Sequence, residues 1–251
     1  MSNNLVIVPT YNERENISAL ISKVLFLQVT FDILIVDDGS PDGTANIVKQ
    51  LQKYYPDRVF LLERKGKLGL GSAYIAGFKY ALKQGYEYIF EMDADFSHNP
   101  EDLVKLYEVC AYENYDVAIG SRYIQGVNVI NWPMSRVLIS YFASYYVCLI
   151  TGMPVKDTTA GFKCYRRFVL ETINLDKIRF VGYAFQIEMK FTAWMYGFKI
   201  KEIPIIFTDR AKGESKMSLR IFWEAMVGVI RLKISSFFKK YHRQMSLPVS
   251  R

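Results

Sequence analysis

Histidine is nearly missing from this chain: His98 and His242 are the two it has. With so few, a histidine triad and a His-rich zinc site are excluded as sources of chemistry. Cysteine is scarce as well. Cys110, Cys148 and Cys164 form no CxxC pair and stand at no metal-ligand spacing, so they read as buried thiols of a chain in a reducing, cytoplasmic setting. No stretch rich in Pro, Gly and Ser divides the 251 residues, of which 51% are hydrophobic. That predicts one large α/β domain with a substantial core, followed by a tail. Leu5-Val-Ile-Val lacks a basic lead and runs straight into polar residues, so no signal peptide is expected.

Charge of either sign is missing from Val137 to Val155, 19 residues, close to the length that crosses a bilayer. The run contains Ser140, Ser144, Thr151, Gly152 and Pro154 and lies between segments that carry chemistry. A spanning helix would put those segments on opposite sides of a membrane, so a buried or membrane-facing pair of helices is expected instead. Acidic residues are scarce at the C-terminal end: residues 210–251 hold ten Lys and Arg against two Glu, while residues 1–209 hold 22 basic and 23 acidic groups. The formal net charge of +7 therefore belongs to that end, which predicts a separate role for it against something anionic.

Apolar runs rich in branched residues alternate with helical patterns. Leu5–Pro9, Ile33–Val36, Val59–Leu62, Tyr88–Met92 and Val117–Gly120 read as strands, and Ile17–Phe26, Thr44–Tyr54, Ser72–Gln84 and Glu101–Glu113 as helices. The βαβα order predicts a Rossmann-like, mostly parallel sheet with helices on both faces, a design that binds ligands at the carboxyl ends of its strands. Further on, the pattern predicts helices around 134–150, a strand near Gly161–Tyr165, a helix near Phe185–Tyr196 and a strand at Ile200–Phe207. From Ser218, Leu219, Phe222, Met226, Val229 and Ile230 fall on one helical face and Arg220, Glu224 and Arg231 on another.

Polar motifs sit at the predicted strand ends. Pro9-Thr-Tyr-Asn-Glu13 closes the first strand, Asp37-Asp38-Gly-Ser40 the second, Asp93-Ala-Asp95 the fourth and Gly120-Ser-Arg122 the fifth. Two carboxylates one residue apart at a strand end suit a hard divalent cation, Mg²⁺ or Mn²⁺, shared with substrate phosphates. An acidic capping turn is the competing reading of a lone DxD. The other motifs on neighbouring strand ends favour the metal, which would stabilise charge on a departing nucleoside diphosphate. Asp37–Gly43 is either a plain strand-to-helix turn or a carboxylate beside a base or ribose. Lys65-Gly-Lys-Leu-Gly-Leu-Gly71 matches neither GxGxxG nor a P-loop, since no GK[ST] follows; it reads as a diphosphate-approaching backbone near Lys67 or as a simple loop. Asn99-Pro-Glu-Asp102 opens a helix with Asn as cap, and His98 belongs to this turn.

VPTYNE, IVDDGSPDGT, KLGLGSAYIAGF, EMDADFSHNP, GSRYI, DTTAGFKCYRR and FTDRAKGESKM together resemble the GT-A-fold, family 2 inverting glycosyltransferases, and within them the dolichyl- or polyprenyl-phosphate mannose synthases. The resemblance runs from about residue 4 to 218, with residues 1–217 as transferase domain and 218–251 as a basic amphipathic helix and tail. DADFSHNP and DRAKGESK point to the polyprenyl-phosphate branch; DxD alone speaks only for fold and nucleotide sugar. The resemblance implies that Pro9, Tyr11, Glu13, Val36, Asp38, Asp93 and Ala94 bind the nucleotide and that Asp93 and Asp95 hold the metal. Ser97 stands where some relatives have a Gln ligand and is the weaker oxygen donor. Arg122, Arg136, Arg210 and Lys216 match basic positions around the donor diphosphate and the acceptor phosphate: Arg122 and Arg136 at the acceptor phosphate, and Asp95, Arg122, Arg210 and Lys216 as the catalytic set.

The implied reaction is attack by a polyprenyl or dolichyl phosphate oxygen on the anomeric carbon of GDP-mannose, with inversion. A sugar hydroxyl would need a carboxylate base. A phosphate monoester, with its second pKa at roughly 6, needs none. Asp157 could orient the sugar, hold a basic side chain, serve as base or shape a turn. Asp209–Met217 reads as a lid over bound nucleotide. The tail, with Lys239, Lys240 and Arg243, is expected to lie on the cytoplasmic face of a membrane as a peripheral anchor, or else to pack on the domain; a small membrane subunit is left open as a partner. Two other functions fit the sequence: the same fold with UDP-glucose or another nucleotide sugar and a lipid or glycan acceptor, and a non-catalytic membrane- or nucleic-acid-binding module. No nucleic-acid partner is expected, since the interleaved aromatic and basic face of single-strand binders is missing.

Overall fold

The computed structural model describes residues 2–180, 182, 184–209 and 219–241, of which 219–225 as backbone alone. Among the described residues there are nine strands: β1 (Asn4–Thr10), β2 (Asp32–Asp37), β3 (Val59–Glu63), β4 (Tyr88–Glu91), β5 (Val117–Ser121), β6 (Val129–Ile130), β7 (Lys163–Arg166), β8 (Ile200–Pro204) and β9 (Phe207–Thr208). The helices are α1 (Ile17–Leu25), α2 (Thr44–Tyr54), α3 (Leu70–Gln84), α4 (Asp102–Ala111), α5 (Met134–Thr151), α6 (Arg167–Thr172), α7 (Ala184–Met195) and α8 (Leu219–Phe237). Seven strands form one sheet in the order β3-β2-β1-β4-β7-β5-β8, and β6 pairs with β9.

The central strands are apolar without alternation because both sheet faces are covered. Leu5, Ile7, Leu34 and Val36 point into one core with Tyr74 and Phe78 of α3 and Phe185 of α7; Val6, Val8, Ile33 and Ile35 point into the other with Leu20 of α1 and Leu103 of α4. Each such side chain contributes roughly 1.5–3 kcal/mol by leaving water. Gly77 lets α3 lie directly on β1: a Cβ there would stand 2.5 Å from Ile7 Cγ2.

The predicted parallel order holds for β1 to β5, but β7 runs antiparallel between β4 and β5. This brings the start of β7, with Gly161 before it, to the same edge as the carboxyl ends of β4 and β5. The expected pair of helices around 134–150 is instead one continuous helix, α5. It is the one described helix with the length and composition to cross a membrane, and 22% of it is buried. α8 packs on the domain through buried Val229 and Leu232, while Tyr146 donates to the Met226 carbonyl at 3.2 Å. Ile230, expected on the face of Val229, is 43% exposed with Val227, Ile234, Phe237 and Phe238. The helix therefore carries two apolar stripes, one buried and one facing out. The boundary expected at 217/218 lies outside the described residues.

Candidate active site

At the ends of β1 and β2, Thr10 Oγ1 donates to Asp37 Oδ2 at 2.9 Å, and the Ser40 amide and hydroxyl donate to Asp37 at 2.9 and 2.6 Å. Asp37 is thereby consumed in shaping the turn, which presents its neighbour. Asp38 accepts from Arg64 Nε at 2.6 Å and from the Leu68 amide at 3.2 Å. The same guanidinium donates to Ser72 Oγ at 2.9 Å, so Asp38 and Arg64 tie the Gly-rich loop to the sheet edge. Lys67 rides over the Tyr11 ring at 4.8 Å, and the Asn12 amide donates to Ser40 Oγ at 3.0 Å. Glu13 joins through its amide to Thr44 Oγ1 at 3.0 Å. Pro9, Tyr11, Glu13 and Asp38 thus line one edge. The Val36 side chain is in the core, which leaves its backbone for that edge.

β4 delivers the paired carboxylates. Asp93 and Asp95 are partly exposed, and Ala94 between them is buried. Tyr74 Oη lies 3.4 Å from Asp93 Oδ1; burial and the Asp93 charge push its pKa well up, so the hydroxyl stays a donor. Ser97, 2% exposed, gives its hydroxyl and its amide to Asp95 Oδ1 at 2.6 and 3.1 Å. The turn is sharp enough to force Phe96 to φ 59°, a left-handed conformation that non-glycine residues adopt rarely. Behind it His98 stacks on Phe162 at 4.9 Å. Burial drops its pKa to about 4, against the nearby Asp95 charge, so it is a neutral packing group, as expected of the turn. Asn99 Oδ1 accepts from the Glu101 amide at 3.3 Å, so Asn99 stands two residues before the cap of α4, which is Glu101 and not the expected Asn99.

Among the described residues no three His, Cys, Asp or Glu side chains gather into a protein cage for a metal. The two carboxylates, hard oxygen donors that are partly exposed, fit a divalent cation whose other ligands would come from a diphosphate and water, while the buried Ser97 hydroxyl is turned onto Asp95.

Sequence reasoning missed the charged layer beneath this pair. Glu91 and Lys163 are both fully buried and 3.1 Å apart, and Gln186 Nε2 donates to Glu91 at 2.8 Å. Lys190, also fully buried, gives its ammonium to the Ala160 carbonyl at 2.7 Å. Burial, together with the Lys163 charge, holds the Lys190 pKa well below normal. A faint signal was there: Gln186, Glu188 and Lys190 interrupt an otherwise apolar helix.

On the far side of Asp93, Arg122 leaves β5 and meets Asp157. Its amide, Nε and Nη2 donate to that carboxylate at 2.9, 2.7 and 2.6 Å, and Nη2 also reaches Thr159 Oγ1 at 2.7 Å. Burial alone would raise the Asp157 pKa; the Arg122 charge outweighs it and the net shift is downward. Glu202 fixes the loop from below by accepting from the Lys156 and Asp157 amides at 2.7 and 2.8 Å. Arg136, in the first turn of α5, pairs with Asp209 at 2.8 Å. Arg210 and Lys216, with the lid expected over Asp209–Met217, lie outside the described residues from 210 on.

Comparison with known proteins agrees with this arrangement. Residues 5–173 match the profile of Glycosyl transferase family 2. The chain is 46% identical over 225 residues to the polyprenol monophosphomannose synthase of Mycolicibacterium smegmatis, covering 90% of this chain and 84% of that one. It is 42% identical over 243 residues to the undecaprenyl-phosphate mannosyltransferase of Micrococcus luteus, covering 97% and 99%. Among solved structures, glucosyl-3-phosphoglycerate synthase of Mycobacterium tuberculosis with Mn²⁺ and UDP is similar at TM-score 0.64 and 16% identity, over 92% of this chain and 78% of that one. The mannosyltransferase PcManGT of Pyrobaculum calidifontis with GDP-Man and Mn²⁺ is similar at TM-score 0.57 and 17% identity, over 95% and 64%. The fold is that of the GT-A glycosyltransferases, and with the strand-end motifs in place across the matched region the chain belongs to glycosyltransferase family 2.

Proposed function

We propose that this glycosyltransferase moves mannose from GDP-mannose to a polyprenyl or dolichyl monophosphate, with inversion at the anomeric carbon, at the cytoplasmic face of a membrane. One observation carries the reading of the acceptor. Asp157, the carboxylate beside Arg122, is bound to that arginine through three bonds and acts as its holder rather than as a base. The acceptor side therefore offers guanidinium, which suits a phosphate that already carries its negative charge. The names of the Mycolicibacterium and Micrococcus relatives point to the same acceptor class, and the GDP-Man complex of PcManGT supports the donor.

In this mechanism Pro9, Tyr11, Glu13, Asp38 and the Val36 backbone seat the nucleoside, and Ala94 keeps the turn narrow. Asp93 and Asp95 would hold Mg²⁺ or Mn²⁺, which supplies electrophilic stabilisation to the departing diphosphate. Ser97 orients Asp95 through its hydrogen bonds and serves as a support more than as a third ligand. Arg122 and Arg136 draw in the acceptor phosphate, with Arg210 and Lys216 completing the basic set around the two phosphate groups. A phosphate oxygen forms the new bond to the anomeric carbon while the bond to GDP breaks and its electron pair leaves with GDP. No proton moves.

The membrane reading rests on exposed apolar residues. α5 shows Leu138, Ile139, Phe142, Tyr145 and Leu149 to solvent, and α8 shows Ile230, Ile234 and Phe237, with Phe238 exposed just beyond its end. Lys239 and Lys240 follow directly, where cations meet anionic headgroups. Binding by a panel of GDP- and UDP-sugars, followed by NMR of the anomeric proton of the product, tests donor and stereochemistry together. A preference for UDP-glucose would replace the donor, and a retained anomeric configuration would overturn the single displacement.

A further inference from the structure

Trp132 lies between the two arginines assigned to the acceptor phosphate. Its ring is 4.1 Å from the Arg136 guanidinium carbon and 5.4 Å from that of Arg122. Phe207 meets its edge at 5.4 Å and 76°. The segment that carries it is shaped for the purpose: Asn131 turns at φ 64°, a conformation that asparagine tolerates better than most residues, and Pro133 fixes φ at −59° at the start of α5.

The two arginines are not held alike. Arg122 is 8% exposed and locked by Asp157 in a fork. The Arg136 side chain is 35% exposed and that of its partner Asp209 is 27% exposed. An incoming phosphate dianion meets Arg136 as the accessible cation, and there it competes with the Asp209 carboxylate for the same N–H groups. During that exchange an ion pair cannot hold the guanidinium in place. A ring face can, because cation–π attraction is indifferent to which anion sits on the cation's edge.

We propose that Trp132 is a positioning residue for the acceptor phosphate, holding Arg136 beside the fixed Arg122 while the phosphate displaces Asp209. This rests on the reading that the acceptor is a lipid monophosphate. Its chemistry requires a planar electron-rich ring at this position, not merely an apolar one of similar bulk.

The test uses the full chain, GDP-mannose and farnesyl phosphate in detergent micelles. Trp132→Leu is expected to raise the acceptor KM roughly tenfold with the donor KM unchanged, and Trp132→Phe, which keeps a ring, to recover most of the loss. In a Trp194→Phe, Trp223→Phe background, titration with farnesyl phosphate is expected to change the Trp132 fluorescence, and farnesol to leave it unchanged. This arm uses the native ring and stands even if Trp132→Leu does not fold. An acceptor KM that stays at the wild-type value in folded Trp132→Leu, or an equal fluorescence response to farnesol, overturns the proposal alone. Failure of the wild-type chain to bind farnesyl phosphate or transfer sugar to it overturns the acceptor reading, and this role with it.

Discussion

Asp157 holds Arg122 by the backbone amide, Nε and Nη2 at once, and the carboxylate is fully buried. The two side chains come from loops after β5 and before β7, so this one pair fixes the relative placement of those two loops, the proposed acceptor side.

Asp157→Asn leaves a buried guanidinium without its counter-charge and is expected to destabilise the fold by about 3–5 kcal/mol. The carboxyl pKa is lowered in the native state, so its contribution is complete above its ordinary value of 3.8 and is lost as pH falls through the lower native value. Denaturant unfolding between pH 7 and 3 checks this: the wild type loses more stability than Asp157→Asn across the acid end. Turnover falls with the acceptor KM raised, while GDP binding survives.

Ser97→Ala removes the hydroxyl that donates to Asp95 at 2.6 Å. The expected cost is roughly tenfold in Mn²⁺ affinity in the presence of GDP, the size typical of a residue supporting a metal ligand. Asp95→Ala is expected to abolish that binding. Calorimetric titration of Mn²⁺ into the protein with GDP separates the two roles: equal losses would make Ser97 a ligand in its own right.

Arg64→Met frees Asp38 and the loop that carries Lys67. GDP affinity is expected to drop about tenfold, the value of one charge-assisted hydrogen-bonded pair, with transfer from saturating donor little changed. Equilibrium dialysis with labelled GDP reads this directly; unchanged affinity would mean that the loop does not cover the nucleotide.

Phe142→Asp with Leu149→Asp places two charges on the exposed face of α5, where those residues are 62% and 70% exposed. Stability is expected to change by less than about 0.5 kcal/mol each. Co-sedimentation with anionic vesicles is expected to fall severalfold. Retained partitioning would assign membrane contact to α8 and the basic tail.

The strands and helices up to α4 were legible to within two residues because their apolar runs end on turn residues with defined backbone roles. β7 was legible as a strand but not as an antiparallel insertion, since Lys163-Cys-Tyr-Arg166 does not encode its neighbours; those are set by the loop that returns through Asp157. α6, six residues long, is too short for a periodic signal. The acidic motifs were readable because each stands at a strand end. Arg64 and Lys190 were not, because each acts through a partner distant in sequence, Asp38 and the Ala160 carbonyl; Trp132 stands only four residues from Arg136, but that spacing alone does not encode a ring placed on a guanidinium. The two stripes of α8 were merged for a related reason: a helical wheel shows which residues are apolar, not which of them the domain covers.

The most direct test of the central claim is transfer of label from GDP-[¹⁴C]mannose to a short polyprenyl phosphate, followed into the organic phase with Mn²⁺ present. The account predicts organic-phase label with the wild type and none with Asp95→Ala. Label that reaches a water-soluble acceptor while the lipid phosphate stays unlabelled, or transfer that survives Asp95→Ala, would contradict it.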